Sequence, residues 1–131
     1  MNPLNSTSPS QLKLKNMSDP TLEQISAKLK QFNADRDWDQ YHSPRNLAMA
    51  LSVEAAELLE CFLWVKDGEQ IPDSKKAHVE EEAADVFICL MNFCAQANID
   101  LTSAFQNKLA KNEQKYPVDK ARGSRAKYDE L

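Results

Sequence analysis

An all-α fold, an antiparallel four-helix bundle that associates into an oligomer, is what this sequence of 131 residues predicts. Three observations predict it. Apolar residues recur at three- and four-residue intervals in four successive segments, which is helical periodicity. No run of alternating apolar and polar residues reads as a strand. The links between the segments are short, and short links favour antiparallel neighbours.

Each element has its own local signal. Residues 1–19 are rich in Ser, Asn, Pro and Lys without periodicity and are expected to form a mobile leader, leaving one domain over 20–131. The first helix is expected from about Thr21 to Asp35, with Leu22, Ile25, Leu29 and Phe32 on one stripe. The connection RDWDQYHSPRN follows, and in it Ser43 precedes Pro44, an N-cap followed by an N1 proline. The second helix is expected to run to about Lys66, where DGEQIPD ends it. Asp73 or Ser74 caps the third, which continues to about Ala97. Asp100 caps the fourth, Pro117 stops it, and a polar, basic tail remains.

Composition excludes several classes of function. A formal net charge of -4 argues against a general nucleic-acid binder, which shows a basic face. Only two glycines are present, and they stand apart, so no glycine-rich phosphate loop can form. Phosphate chemistry would have to use a metal or cationic side chains. Cys61, Cys89 and Cys94 form no C-x-x-C pair and lie in apolar helical contexts, which fits reduced core thiols in a cytoplasmic protein. No apolar run opens the chain and none is long enough to span a bilayer, so neither a signal peptide nor a membrane partner is expected.

The segment LAMALSVEAAELLECFLWV poses the functional question. A helix that is apolar all round is normally buried, yet Glu54 and Glu57 sit in its middle. Three residues apart, they share a face with Leu47, Leu51, Leu58 and Cys61. The third helix repeats the spacing with Glu82 and Asp85, on a face with His78, Glu81, Cys89 and Asn92. Its opposite side, with Val86, Phe87, Leu90 and Cys94, is free to pack. Antiparallel neighbours would bring the two acidic pairs together, and a divalent cation would relieve their repulsion. An all-carboxylate donor set suits Mg²⁺, with Mn²⁺ as the alternative, better than Zn²⁺. A solvated acidic face is the plainer reading of the same spacing. A di-iron bundle normally shows E-x-x-H on two helices, and neither His42 nor His78 stands three residues after a Glu.

The segments RDWDQYHSPRNLAMALSVEAAELLE, FLWVKDGE, EEEAADVFICL and KNEQKYP, in that order, resemble the MazG-like nucleotide pyrophosphohydrolases. The likeness covers about residues 21–128 and is strongest to the dCTP pyrophosphatase-like branch of the all-α NTP pyrophosphatase superfamily. It implies hydrolysis of nucleoside triphosphates between the α and β phosphates, with dCTP preferred and Mg²⁺ held by Glu54, Glu57, Glu82 and Asp85. It further implies a tetramer built from dimers and a role in nucleotide-pool sanitation. Three positions depart from other members. Val53 stands where MazG proteins often carry a further Glu, as the dCTP-cleaving branch also lacks it. Cys89 and Leu29 stand where some vertebrate members carry Tyr and His.

Further site residues follow from chemistry and resemblance together. Glu81 is a candidate proton acceptor beside Glu82. Lys108 and Asn112 are four apart on the fourth helix and match the family's K…N…Y-P segment, which makes them candidates for the phosphates. Trp38 and His42 resemble base-pocket elements. Trp64 is seven residues after Glu57, about 10.5 Å along a continuous helix, a reach that suits base stacking. Ordinary core packing is the plainer role for either tryptophan, and solvent exposure for either Glu81 or Lys108. A helix apolar all round also has more surface than one short chain can cover, so a homo-oligomer is expected. The rival functions are a broader NTP or dUTP pyrophosphohydrolase, a helical module that senses nucleotides without turnover, and a structural bundle.

Overall fold

The computed structural model describes residues 19–131, so the expected leader lies outside the described residues but for its last position. Every regular element among the described residues is helical. They are α1 (Leu22–Asp35), a 3-10 turn (Asp39–Tyr41), α2 (Pro44–Glu60), α3 (Asp73–Gln96), α4 (Leu101–Lys115) and a single turn, α5 (Val118–Ala121).

The caps work as the sequence dictates. The Thr21 hydroxyl accepts the Gln24 N–H at 3.2 Å, while the Gln24 side chain accepts the Thr21 N–H at 2.9 Å, a reciprocal capping box. Ser43 accepts the Asn46 N–H at 3.1 Å and starts α2 with Pro44 in its first turn. Asp100 accepts the Ser103 N–H at 3.1 Å and opens α4, and these bonds hold its carboxyl below the usual aspartate range. Helix α3 differs from expectation. Pro72 occupies the cap position, no side chain caps the helix, and Asp73 is its first residue.

Two helices end in Schellman motifs. At the end of α1, Asp37 takes φ 54°, and the Trp38 and Asp37 N–H groups bond back to the carbonyls of Asn33 and Ala34. The accompanying apolar contact is Trp38 edge-on to Phe32, with ring centres 5.7 Å apart. At the end of α3, Asn98 takes φ 54°, and the Ile99 N–H bonds to the Cys94 carbonyl.

Helix α2 is shorter than expected, ending at Glu60 instead of Lys66. Beyond it the Phe62 and Leu63 N–H groups bond to the carbonyls three residues back, at Leu59 and Glu60, so the chain tightens into successive turns. Trp64 then takes φ 65°, a left-handed conformation that no α-helix continues.

Helices α2 and α3 pack along their length, and α1 lies against α3. The α2–α3 pair is antiparallel. Asn46 and Leu47 share a cleft with Asn92, and Glu60 and Cys61 share another with His78 at the opposite end. The four-helix bundle is not formed within one chain. Helix α4 leads away from the other three, and its Phe105 is 61% exposed. The intrachain core is correspondingly thin: only Leu47, Met91, Cys94 and Asn33 are buried among the described residues. The tail folds back on α4, with Tyr128 edge-on to Tyr116 and under the Lys115 ammonium.

Candidate active site

The antiparallel pairing brings the acids of α2 and α3 together. Carboxylate oxygens of Glu54, Glu82 and Asp85 lie within 4.8 Å of one another. Glu57, one turn along from Glu54, interacts with the side chains of both Glu54 and Glu82. The consequence is electrostatic. Partial burial, followed by repulsion from Glu57 and Asp85, raises the Glu54 carboxyl above the ordinary carboxylate range. Glu82 is raised for the same reasons, desolvation first and Glu57 next, and His78 pulls the other way. That histidine lies 3.6 Å from Glu82 Oε1 but is 62% exposed, so it neutralises little.

The donor set fits a hard divalent cation. Glu82 Oε2 is buried and has no hydrogen-bond partner among the described residues. A buried carboxylate oxygen without a donor is costly, and oxygen-only ligands suit Mg²⁺ or Mn²⁺.

A cleft of about 660 Å³ opens beside these carboxylates, with Glu54 and Asp85 in its wall. Its apolar surface comes from Leu29, Phe32, Trp38, Leu47 and Ile88, and Cys89 completes it. Burial, and then the charges of Glu54 and Asp85, push the Cys89 thiol up, so it is a wall and not a nucleophile. Local structure explains how the aromatic rim is placed. The Schellman turn after α1 delivers Trp38, and the 3-10 turn carries Tyr41 and His42. Asn46 ties the start of α2 to this turn by donating to the Tyr41 carbonyl at 3.0 Å.

Of the residues expected from sequence, Glu54, Glu57, Glu82, Asp85, Trp38 and His42 come together around the cluster and cleft. Glu81 is exposed on α3 and does not belong to the cluster. Trp64 is 93% exposed beyond the end of α2, so the helical rise that would set its distance from Glu57 does not exist. Lys108 and Asn112 lie on α4, away from the cleft of this chain. Sequence reasoning missed Asn33 as a site residue, and it named Asn92 only as a neighbour of the acids. Both line the cleft, and Asn33 Nδ2 donates to Asn92 Oδ1 at 3.0 Å. A signal was present: Asn33 is a polar residue set four after Leu29, on the apolar stripe of α1.

Known proteins resemble this chain in sequence and in fold. The profile of the MazG-like family matches residues 49–131. Over 117 residues, 86% of this chain and 69% of the relative, the sequence is 43% identical to dCTP pyrophosphatase 1 of Rattus norvegicus. The identity and both coverages are the same for dCTP pyrophosphatase 1 of Homo sapiens. The fold matches a crystal structure of a pyrophosphatase from Archaeoglobus fulgidus with a TM-score of 0.71 and 40% identity, covering 76% of this chain and 94% of that one.

Proposed function

This chain belongs to the MazG-like family, and from that premise we propose that it is a nucleoside triphosphate pyrophosphatase that converts dCTP to dCMP and pyrophosphate. One observation carries the reading. The clustered carboxylates of Glu54, Glu82 and Asp85 stand at the edge of a cleft of base-plus-sugar size, with Trp38 on its wall. The 43% identity to proteins named dCTP pyrophosphatase 1 supports dCTP as the preferred substrate.

Glu54, Glu57, Glu82 and Asp85 would hold the divalent cation, Mg²⁺ in the first instance. When bound, it supplies charge neutralisation to the phosphates and acidifies water. The chain does the rest. The cleft takes the base, with Trp38 offering an aromatic edge or face, and excludes water around it. Glu57 lies close enough to Glu54 and Glu82 to raise both carboxyls and to share the cation with them. Glu81, next to Glu82 in sequence but exposed on α3, is the proposed acceptor of the proton of the attacking water. The water oxygen bonds to the α-phosphorus, the bond to the bridging oxygen breaks, and the electron pair leaves with pyrophosphate.

Cations for the remaining phosphates come from α4, through Lys108 and Asn112. Since α4 does not pack on α2 and α3 of its own chain, a second chain brings them to the site. The exposed apolar surface of Phe105 and Leu109 on α4, of Leu59 at the end of α2, and of Leu63 and Trp64 after it, supports a homo-oligomer, which we take to be a tetramer. Trp64 would meet the base only as part of that assembly. Free thiols at all three cysteines, and no helix long and apolar enough to cross a membrane among the described residues, accord with a cytoplasmic enzyme of nucleotide-pool sanitation.

The test is product analysis. Incubation with dCTP and Mg²⁺ followed by ion-exchange separation should yield dCMP and pyrophosphate. Formation of dCDP and orthophosphate would overturn the bond assignment. Tight binding without product would point to a nucleotide sensor, and a panel of NTPs and dUTP separates a broad enzyme from a dCTP-preferring one.

A further inference from the structure

The cleft contains a polar feature that metal binding and phosphate chemistry leave unused. Asn33 is the one buried polar residue among those described, at 6% exposure. It donates through Nδ2 to Asn92 Oδ1 at 3.0 Å, across 59 positions of sequence, and both residues line the cleft. The remaining groups of the pair keep contact with the open cleft, where a ligand can reach them. Among the described residues, Asn33 Oδ1 and Asn92 Nδ2 make no hydrogen bond to any other side chain or backbone group. His42 Nδ1, on the same cleft, is buried and also without a partner.

Position decides what could satisfy them. Asn92 is seven residues beyond Asp85 on α3, about 10.5 Å along the axis. That separation spans a nucleotide from its phosphates to its base. With the phosphates at Glu54 and Asp85, the base edge remote from the sugar reaches the two asparagines. In a pyrimidine that edge is C4 and N3, since C4 lies across the ring from the sugar-bearing N1.

We propose that the Asn33–Asn92 amide pair reads this edge and selects a 4-amino pyrimidine. The inference rests on the nucleotide pyrophosphatase reading and deepens it. Asn33 Oδ1, on the more deeply buried partner, accepts from the amino group at C4. Asn92 Nδ2 donates to N3. This is the two-point logic by which an amide reads a base edge. Uracil and thymine present the reverse pattern, a carbonyl at C4 and an N–H at N3. The shared hydrogen bond couples the two amides, because neither can turn over alone without losing it. His42, which lines the same cleft, adds a third polar group.

The test compares binding of dCMP and dUMP by calorimetry in the presence of Mg²⁺, with wild-type protein and the variants Asn33→Leu and Asn92→Ala. Wild type should prefer dCMP, and each variant should reduce the dCMP-to-dUMP affinity ratio about tenfold or more. Melting curves establish that the variants are folded. If Asn33→Leu does not fold, Asn92→Ala, at the more exposed partner, decides the matter. A folded variant with the wild-type ratio would overturn the proposal, as would a wild type indifferent to the two nucleotides. Because the readout is binding, failure of this inference is distinct from failure of the enzymatic reading, which shows as absent pyrophosphate.

Discussion

The α2–α3 pair and helix α4 obey the same local rules and meet different fates. All three begin at the places their caps or prolines predict within a residue, and all three mix apolar and charged positions. Yet α2 and α3 find each other within the chain, and their carboxylates converge, while α4 leaves Phe105 and Leu109 in solvent. The difference teaches where each part of the site gets its geometry. The acidic half is fixed by an intrachain antiparallel contact. On the proposed assignment, the cationic half, Lys108 and Asn112, takes its place only when a second chain covers α4.

The largest predicted effect breaks the intrachain half. Glu57→Gln and Asp85→Asn should each lower kcat by more than about a hundredfold, beyond the cost of losing a group that merely supports a metal ligand. Their melting temperatures without metal should hold level or rise, because each removes one of several crowded like charges. Full activity in either variant would dissolve the assigned site.

A smaller effect separates the two halves. Phe105→Glu places a charge on the apolar face of α4, where Phe105 is 61% exposed among the described residues. Light scattering should show a smaller assembly than wild type, and KM for dCTP should rise about tenfold through lost phosphate contacts while the metal-free fold is retained. An unchanged assembly with unchanged KM would mean that α4 is a solvated helix and that the cations come from elsewhere.

The smallest effect concerns pH. Glu54 and Glu82 have carboxyls raised above the ordinary value of 4.5. Groups raised in the folded state stabilise it fully only while protonated, below the unfolded value, and that contribution is lost as pH rises through the folded value. The metal-free protein should therefore lose melting temperature through this cluster as pH rises above about 4.5. Mg²⁺ should restore it increasingly over the same window. The charges of Glu57 and Asp85 raise the Glu82 carboxyl, and that of His78 opposes them. A metal-induced shift that does not vary with pH would contradict the role of these carboxylates.

Much of this was legible in the sequence, for reasons that particular residues make plain. Thr21, Ser43 and Asp100 announced helix starts because capping is a local interaction among neighbours. Glu54, Glu57, Glu82 and Asp85 could be paired because their spacing and the expected antiparallel contact were both periodic features. Trp64 could not be placed, since the turn at Cys61–Trp64 depends on backbone geometry that apolar side chains do not signal. The departure of α4 was hidden as well, because the pattern of an apolar stripe says that it will be covered and not by which chain. Asn33 and Asn92 meet across 59 positions, and nothing in the spacing of either residue alone reveals the other.

The central claim is that water attacks the α-phosphorus beside the α2–α3 carboxylates. Hydrolysis of dCTP in ¹⁸O-labelled water with Mg²⁺, followed by mass spectrometry of both products, tests it most directly. One labelled oxygen should appear in dCMP and none in pyrophosphate, with turnover absent in Asp85→Asn. Label in pyrophosphate would place the attack on the β-phosphorus and contradict the account.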